Sequence, residues 1–196
     1  MGLKIVGVYR DELYSDEGLV VDSGWRSNAI VADFGRFLAA LMKRDFEKKV
    51  GIEYMAFGGG NGSGAKFKDC VKSFFDSKKE LPYVADDGGW AWAKKIDDSK
   101  MEYLINNDQG EKDEVTNEVT NRLRIKVDID KSEPVTETLI YEEFALLGVD
   151  GSDEGPDTKK MFFVDYVKHG PITKEANWKL TRTVVLTFPL GEGEVP

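Results

Sequence analysis

Between residues 114 and 130 the chain alternates without a break. The odd positions are Val115, Asn117, Val119, Asn121, Leu123, Ile125, Val127 and Ile129, and the even positions hold only Glu, Thr, Arg, Lys or Asp. A repeat of two puts one set on a single face of an extended chain, whereas a helix would scatter it around its circumference. The segment is expected to be one long strand with a buried and a wet face. Two more apolar runs, 138–149 and 161–168, flank an acidic hairpin loop at 150–159. After His169-Gly170-Pro171 the alternation returns over 178–188, with Trp178, Leu180, Val184, Leu186 and Phe188 in one phase. Four successive strands with short connections predict an antiparallel meander or sandwich.

The first half reads differently. Residues 3–8 suit a short strand, and Leu19-Val20-Val21 is a second apolar run. Ile30, Phe34, Phe37, Leu38, Leu41 and Met42 recur at three- and four-residue spacing, which predicts an amphipathic helix over about 26–46. Ser27 and Asn28 are its candidate caps, and Lys43 and Arg44 suit its C-terminal dipole. A strand at 51–57 leads into the glycine loop 58–64, and 66–77 suits a short helix with Phe67, Val71, Phe74 and Phe75 to one side. Cys70 lies close to that side. Residues 78–113, with Pro82, Asp86-Asp87-Gly88-Gly89, Trp90 and Trp92, are weakly patterned and read as a loop-rich insertion. The expected fold is α+β: one β-rich domain over 1–196, its antiparallel sheet or sandwich drawn mainly from 114–190, with the 26–46 helix packed against it.

Composition narrows the chemistry. The chain has 196 residues and a net charge of −9, and its second half (101–196) holds 20 acidic against 11 basic side chains. That charge opposes binding to phosphate backbones or anionic lipid. With one cysteine, Cys70, and one histidine, His169, a disulfide framework and a Cys/His zinc site are excluded. The N-terminus lacks the pattern of a secretory signal, and no apolar run approaches the roughly 18 residues of a spanning helix, so a soluble protein made in a cytoplasm is expected.

The candidate constellations are weak. Gly60, Gly62 and Ala65 match a dinucleotide fingerprint, but no strand–helix alternation follows. Gly59 and Gly64 have phosphate-loop spacing, but Ala65, Lys66 and Phe67 follow in place of Lys and a hydroxyl. Asp150, Asp153, Glu154 and Asp157 are acidic enough for calcium, yet Met161 stands where an EF-hand needs glutamate; a solvated loop tip is the simpler reading. Glu142 and Glu143 are adjacent on a strand and point to opposite faces. His169, before Gly170-Pro171, reads as a structural turn residue with no nucleophile nominated beside it. Trp90, Trp92 and Trp178 fit sugar stacking, a core, or a subunit interface. No catalytic, metal or cofactor residue is expected.

Five pieces stand in a familiar order: GWRSNAIVADFGRFLAALM (24–42), GIEYMAFGGGNG (51–62), EVTNRLRI (118–125), ETLIYEEFALLGVDG (137–151) and DTKKMFFVDYVKHGPITKEANWKLTRTVVLTF (157–188). Together they resemble a group of structural proteins of tailed bacteriophages and related contractile particles, from tail fibre, baseplate or neck. The likeness leaves out 1–20 and most of 78–113, and the stretch between glycine turn and EVTNRLRI is longer than the group's. It implies a non-enzymatic virion component that assembles as a homo-oligomer and docks to other phage proteins. It implies no catalytic residues, and the acidic balance and lack of a long apolar run add the expectation of neither nucleic-acid binding nor membrane insertion. Large aromatics in loops make interface anchors, which nominates Tyr83, Trp90 and Trp92 for such contacts. The alternative readings are a carbohydrate- or receptor-binding β-sandwich at a fibre tip and, further off, a carboxylate hydrolase.

Overall fold

The computed structural model describes residues 5–30, 34, 50–60, 64–78, 80–106, 113–150 and 161–188. In chain order these form β1 (Val6–Ser15), β2 (Gly18–Asp22), β3 (Arg26–Ile30), β4 (Val50–Gly59), α1 (Gly64–Ser77), β5 (Tyr83–Val84), β6 (Trp90–Lys95), a 3-10 turn (Asp98–Lys100), β7 (Met101–Asn106), β8 (Asp113–Thr116), β9 (Arg122–Ile129), β10 (Leu139–Asp150), β11 (Phe162–Phe163), β12 (Asp165–Lys174) and β13 (Lys179–Thr187). The molecule is mostly antiparallel β-sheet with a helix against it, as the alternation predicts.

The strands follow one another in space as β5-β6-β4-β10-β12-β3-β1-β13-β9-β7-β8, with β2 beside β1 and β11 beside β10. One wing runs from β5 to β12 and the other from β1 to β8, and the short β3 joins them: Ile30 faces Asp165, and Asn28 faces Gly7. The wings fold onto each other. The Tyr9 ring on β1 meets Phe144 on β10 edge-on at 5.0 Å, and the Arg182 guanidinium on β13 stands 4.1 Å from the Phe144 ring and 5.4 Å from Phe57 on β4. Burying Phe57 and Phe144 completely is worth about 1.5–3 kcal/mol each.

Helix α1 covers the other face of the first wing. Phe67, Cys70, Val71 and Phe74 are buried at helical spacing, and no side-chain charge supports either end of the dipole, so packing holds the helix. Beneath it the facing positions of β4, β6 and β10 are small. Ala56 pairs with Ala93 and Ala145, and Gly58 with Ala91. Gly58 has to be glycine: a Cβ there would lie 2.6 Å from the Phe67 ring and 2.5 Å from the Trp90 carbonyl oxygen.

Four expectations are corrected. Residues 26–30 are strand β3, not the start of a helix, because β1 and β12 take up its backbone groups at the seam. Phe34 is helical and buried, and the rest of 26–46 lies outside the described residues. The strand expected over 114–130 is two. β8 and β9 flank β7 on opposite edges, so residues 117–121 must cross over it, where the Thr120 hydroxyl donates to the Leu104 carbonyl at 2.9 Å. The four late strands make no meander either: β9 lies between β13 and β7, while β10 lies between β4 and β12. Finally, the described residues of 78–113 are not a loop insertion; β5, β6 and β7 belong to the sheet, and the strands before residue 114 supply as much of it as 114–190. The loop expected at 150–159 lies, but for Asp150, outside the described residues. No helix among the described residues is long and apolar enough to cross a membrane.

Candidate functional site

Two polar assemblies stand out, one inside the fold and one on its surface. The inner face of β1 carries Tyr9, Asp11 and Leu13, and that of β13 carries Leu180, Arg182 and Val184. Arg182 donates to both carboxylate oxygens of Asp11, through Nε to Oδ1 and through Nη2 to Oδ2 at 2.9 Å. Nη2 also lies 2.8 Å from His169 Nε2. A guanidinium can only donate, so Nε2 accepts and the ring proton sits on Nδ1, which donates to the Gly170 carbonyl at 2.6 Å. Burial first, then the Arg182 charge, pushes the His169 pKa down to about 4, so the ring is neutral at pH 7.

His169 reaches this position through a bulge. Between Lys168 and Ile172 β12 inserts His169, Gly170 and Pro171 opposite the single residue Glu142 of β10. The expected turn is thus a bulge within a strand that runs on to Lys174. Further along the seam the Asp165 carboxyl is fully buried. It accepts from the Leu146 amide and from Asn28 Nδ2 at 2.8 Å, and burial pushes its pKa up to about 7 despite these bonds. These groups bind chiefly one another, as in a polar core, although among the described residues Arg182 Nη1 and Asn28 Oδ1 are buried without a partner and His169 is only partly buried.

The second assembly lies on the outward face of the second wing. Strand register sets side chains there in rows. Arg10, Thr183 and Lys126 stand side by side on β1, β13 and β9, and the neighbouring row ends in Arg124 and Glu102 on β9 and β7. The short Thr183 between two long cationic side chains makes the floor of a trough of about 460 Å³, which Glu12 and Lys100 also line. Trp25 forms one wall and is 51% exposed. Most of the cations are matched: Arg10 donates to Asp22 at 2.9 Å through Nε, Arg124 donates to Glu102 at 2.8 Å through Nε, and Lys100 lies 3.3 Å from Asp128. Lys126 has no ion-pair partner among the described residues.

The residues nominated from sequence fall elsewhere. Trp90 and Trp92 are buried in the core between the wings, with Trp90 against Tyr141 and Trp92 against Phe57, and Tyr83 is partly buried beside them. Their rings are spent inside this chain. Trp178 packs on the same core. The glycine turn binds its own neighbour: the Gly60 amide donates to Glu142 Oε2 at 2.8 Å. Glu142 and Glu143 do diverge, and Glu143, on the helix side, accepts from the Tyr166 hydroxyl at 2.6 Å. Asp11, Arg182 and Trp25 were missed. Arg182 sits in the apolar phase of its strand and Asp11 between Tyr9 and Leu13, a signal the alternation contained.

No protein-family model matches this sequence, and comparisons with curated proteins and with solved structures give no match.

Proposed function

We propose that the chain is a non-enzymatic structural subunit of a bacteriophage virion, from tail, baseplate, neck or fibre attachment, that works by self-association and by docking to other virion proteins. The five ordered sequence pieces support this reading. So does the interior, where Asp11, Arg182 and His169 bind one another. The observation that carries it is strand β2. All five of its residues are exposed, three of them are the consecutive aliphatics Leu19, Val20 and Val21, and among the described residues it pairs only with β1. A free apolar edge is a template for a strand from another copy, and antiparallel pairing of two such edges closes a symmetric contact.

Light scattering on the purified protein tests this. A defined multimer that a Val20→Lys substitution reduces to monomers, with the circular dichroism unchanged, is the expected result. A monomer at all accessible concentrations, or a multimer indifferent to Val20→Lys, overturns the edge mechanism. Copy-number mass spectrometry of purified phage particles tests the virion assignment separately.

A further inference from the structure

We propose that the outward trough across β1, β13 and β9 is a saccharide-binding site with Trp25 as its stacking platform. This goes beyond the assembly reading and does not depend on it.

Trp25 is the first reason. A half-exposed indole is ordinary on a mobile loop but here the turn beneath it is fixed. The Ser23 amide donates to the Asp11 carbonyl and the Asp11 amide to Ser23 Oγ, both at 2.9 Å. The Asp22 carboxylate accepts from the Gly24 amide at 2.9 Å as well as from Arg10. Gly24 takes a positive φ of 62°, which turns the chain so that Trp25 leaves the sheet. An indole carried on an anchored turn has only its own two side-chain torsions to fix when a flat, apolar sugar face settles on it.

The trough supplies the rest. A sugar hydroxyl both donates and accepts, so its complement is a surface where donors and acceptors alternate at fixed positions. Arg124 beside Glu102, and Arg10 beside Glu12 and Asp22, give such pairs, each guanidinium fixed by its carboxylate. The Thr183 hydroxyl lies on the strand between them. A phosphate or polyanion would need uncompensated cations, and the carboxylates already neutralise all but Lys126. The volume lies in the roughly 300–1,000 Å³ range of ligand pockets, and the open form suits an extended oligosaccharide.

The full chain is presented to an array of neutral, sialylated and uronate-containing oligosaccharides, and the best binder is titrated by calorimetry at low and high salt. The expected result is saturable binding that weakens about tenfold or more in Trp25→Ala and largely survives in Trp25→Phe, as loss or retention of a stacking face requires. It should change little with salt, since hydroxyl bonds release no counterions. Retention of no glycan overturns the proposal. So does binding undiminished in Trp25→Ala, and so does capture of polyanions alone that collapses with salt. A monomer that binds sugar refutes only the assembly reading, and a multimer that binds none refutes only this one.

Discussion

Asp11 and Arg182 face each other across β1 and β13 with both side chains buried, inside a ring of Tyr9, Phe57 and Phe144. Removing one partner strands a charge among aromatic rings. Asp11→Ala is therefore expected to cost about 3–5 kcal/mol, whereas Asp11→Leu with Arg182→Met should come close to wild type. Urea denaturation of the two variants checks this. If the single variant is as stable as the double, the pair does not hold the seam as described.

The two seam groups with shifted pKa values oppose each other in pH dependence. His169 titrates near 4 in the fold against about 6.5 when unfolded, so the unfolded chain holds the extra proton between those values and stability rises with pH there. Asp165 titrates near 7 against about 3.8, so the folded chain holds the extra proton and stability falls as pH rises through 7. Between about pH 4 and 6.5 the two slopes cancel. Asp165→Asn should leave a stability that rises with pH over that window, and His169→Gln one that falls. Each slope is at most about 1.4 kcal/mol per pH unit, the His169 one smaller because its ring is partly wet. Thermal melts across pH 4–8 read both signs, and parallel profiles for the two variants would refute the assignment.

Gly58 sits where the helix comes closest to the sheet. Gly58→Val must displace the Phe67 ring or the β6 backbone, and an overpacking cost of about 1–3 kcal/mol or more is expected. The same change at Gly51, where nothing among the described residues lies within 4 Å of a new Cβ, should leave the melting curve close to wild type.

Tyr166 is the hydroxyl that serves the buried Glu143 carboxylate, whose other oxygen has no partner among the described residues. Burial and this carboxylate raise the Tyr166 pKa. Tyr166→Phe should lose about 1–3 kcal/mol by leaving the acceptor unmet, and adding Glu143→Gln should recover part of it because an amide carries no charge. A double-mutant cycle in denaturant measures the coupling, and additive losses would show that the bond contributes nothing.

Much of the fold was written locally. The alternation at 123–129 and 178–188 fixed which side chains turn inward, since a strand's faces follow from its own residues. The spacing of Phe67, Val71 and Phe74 fixed α1 for the same reason. Partner choice was not local. Nothing in β9 or β10 says that they belong to different wings, because any inward apolar face satisfies another. The weak pattern of 78–113 hid three strands because β6, with Trp90, Trp92, Ala91 and Ala93, is buried on both faces and so loses the alternation of a half-wet strand. The trough beside Trp25 was least legible of all: Arg10, Lys126, Arg124 and Glu102 lie on three strands far apart in sequence, and only sheet register brings them together. The sequence by itself determined which side chains of β9 and β13 turn toward the core and that a helix follows the glycine turn, because periodicity acts within a segment; only the tertiary structure decided that β10 and β13 are covered on both faces, which strands pair, where Asp11 meets Arg182 and where the outward trough opens, because those depend on hydrogen-bonded neighbours and packing that no single segment encodes.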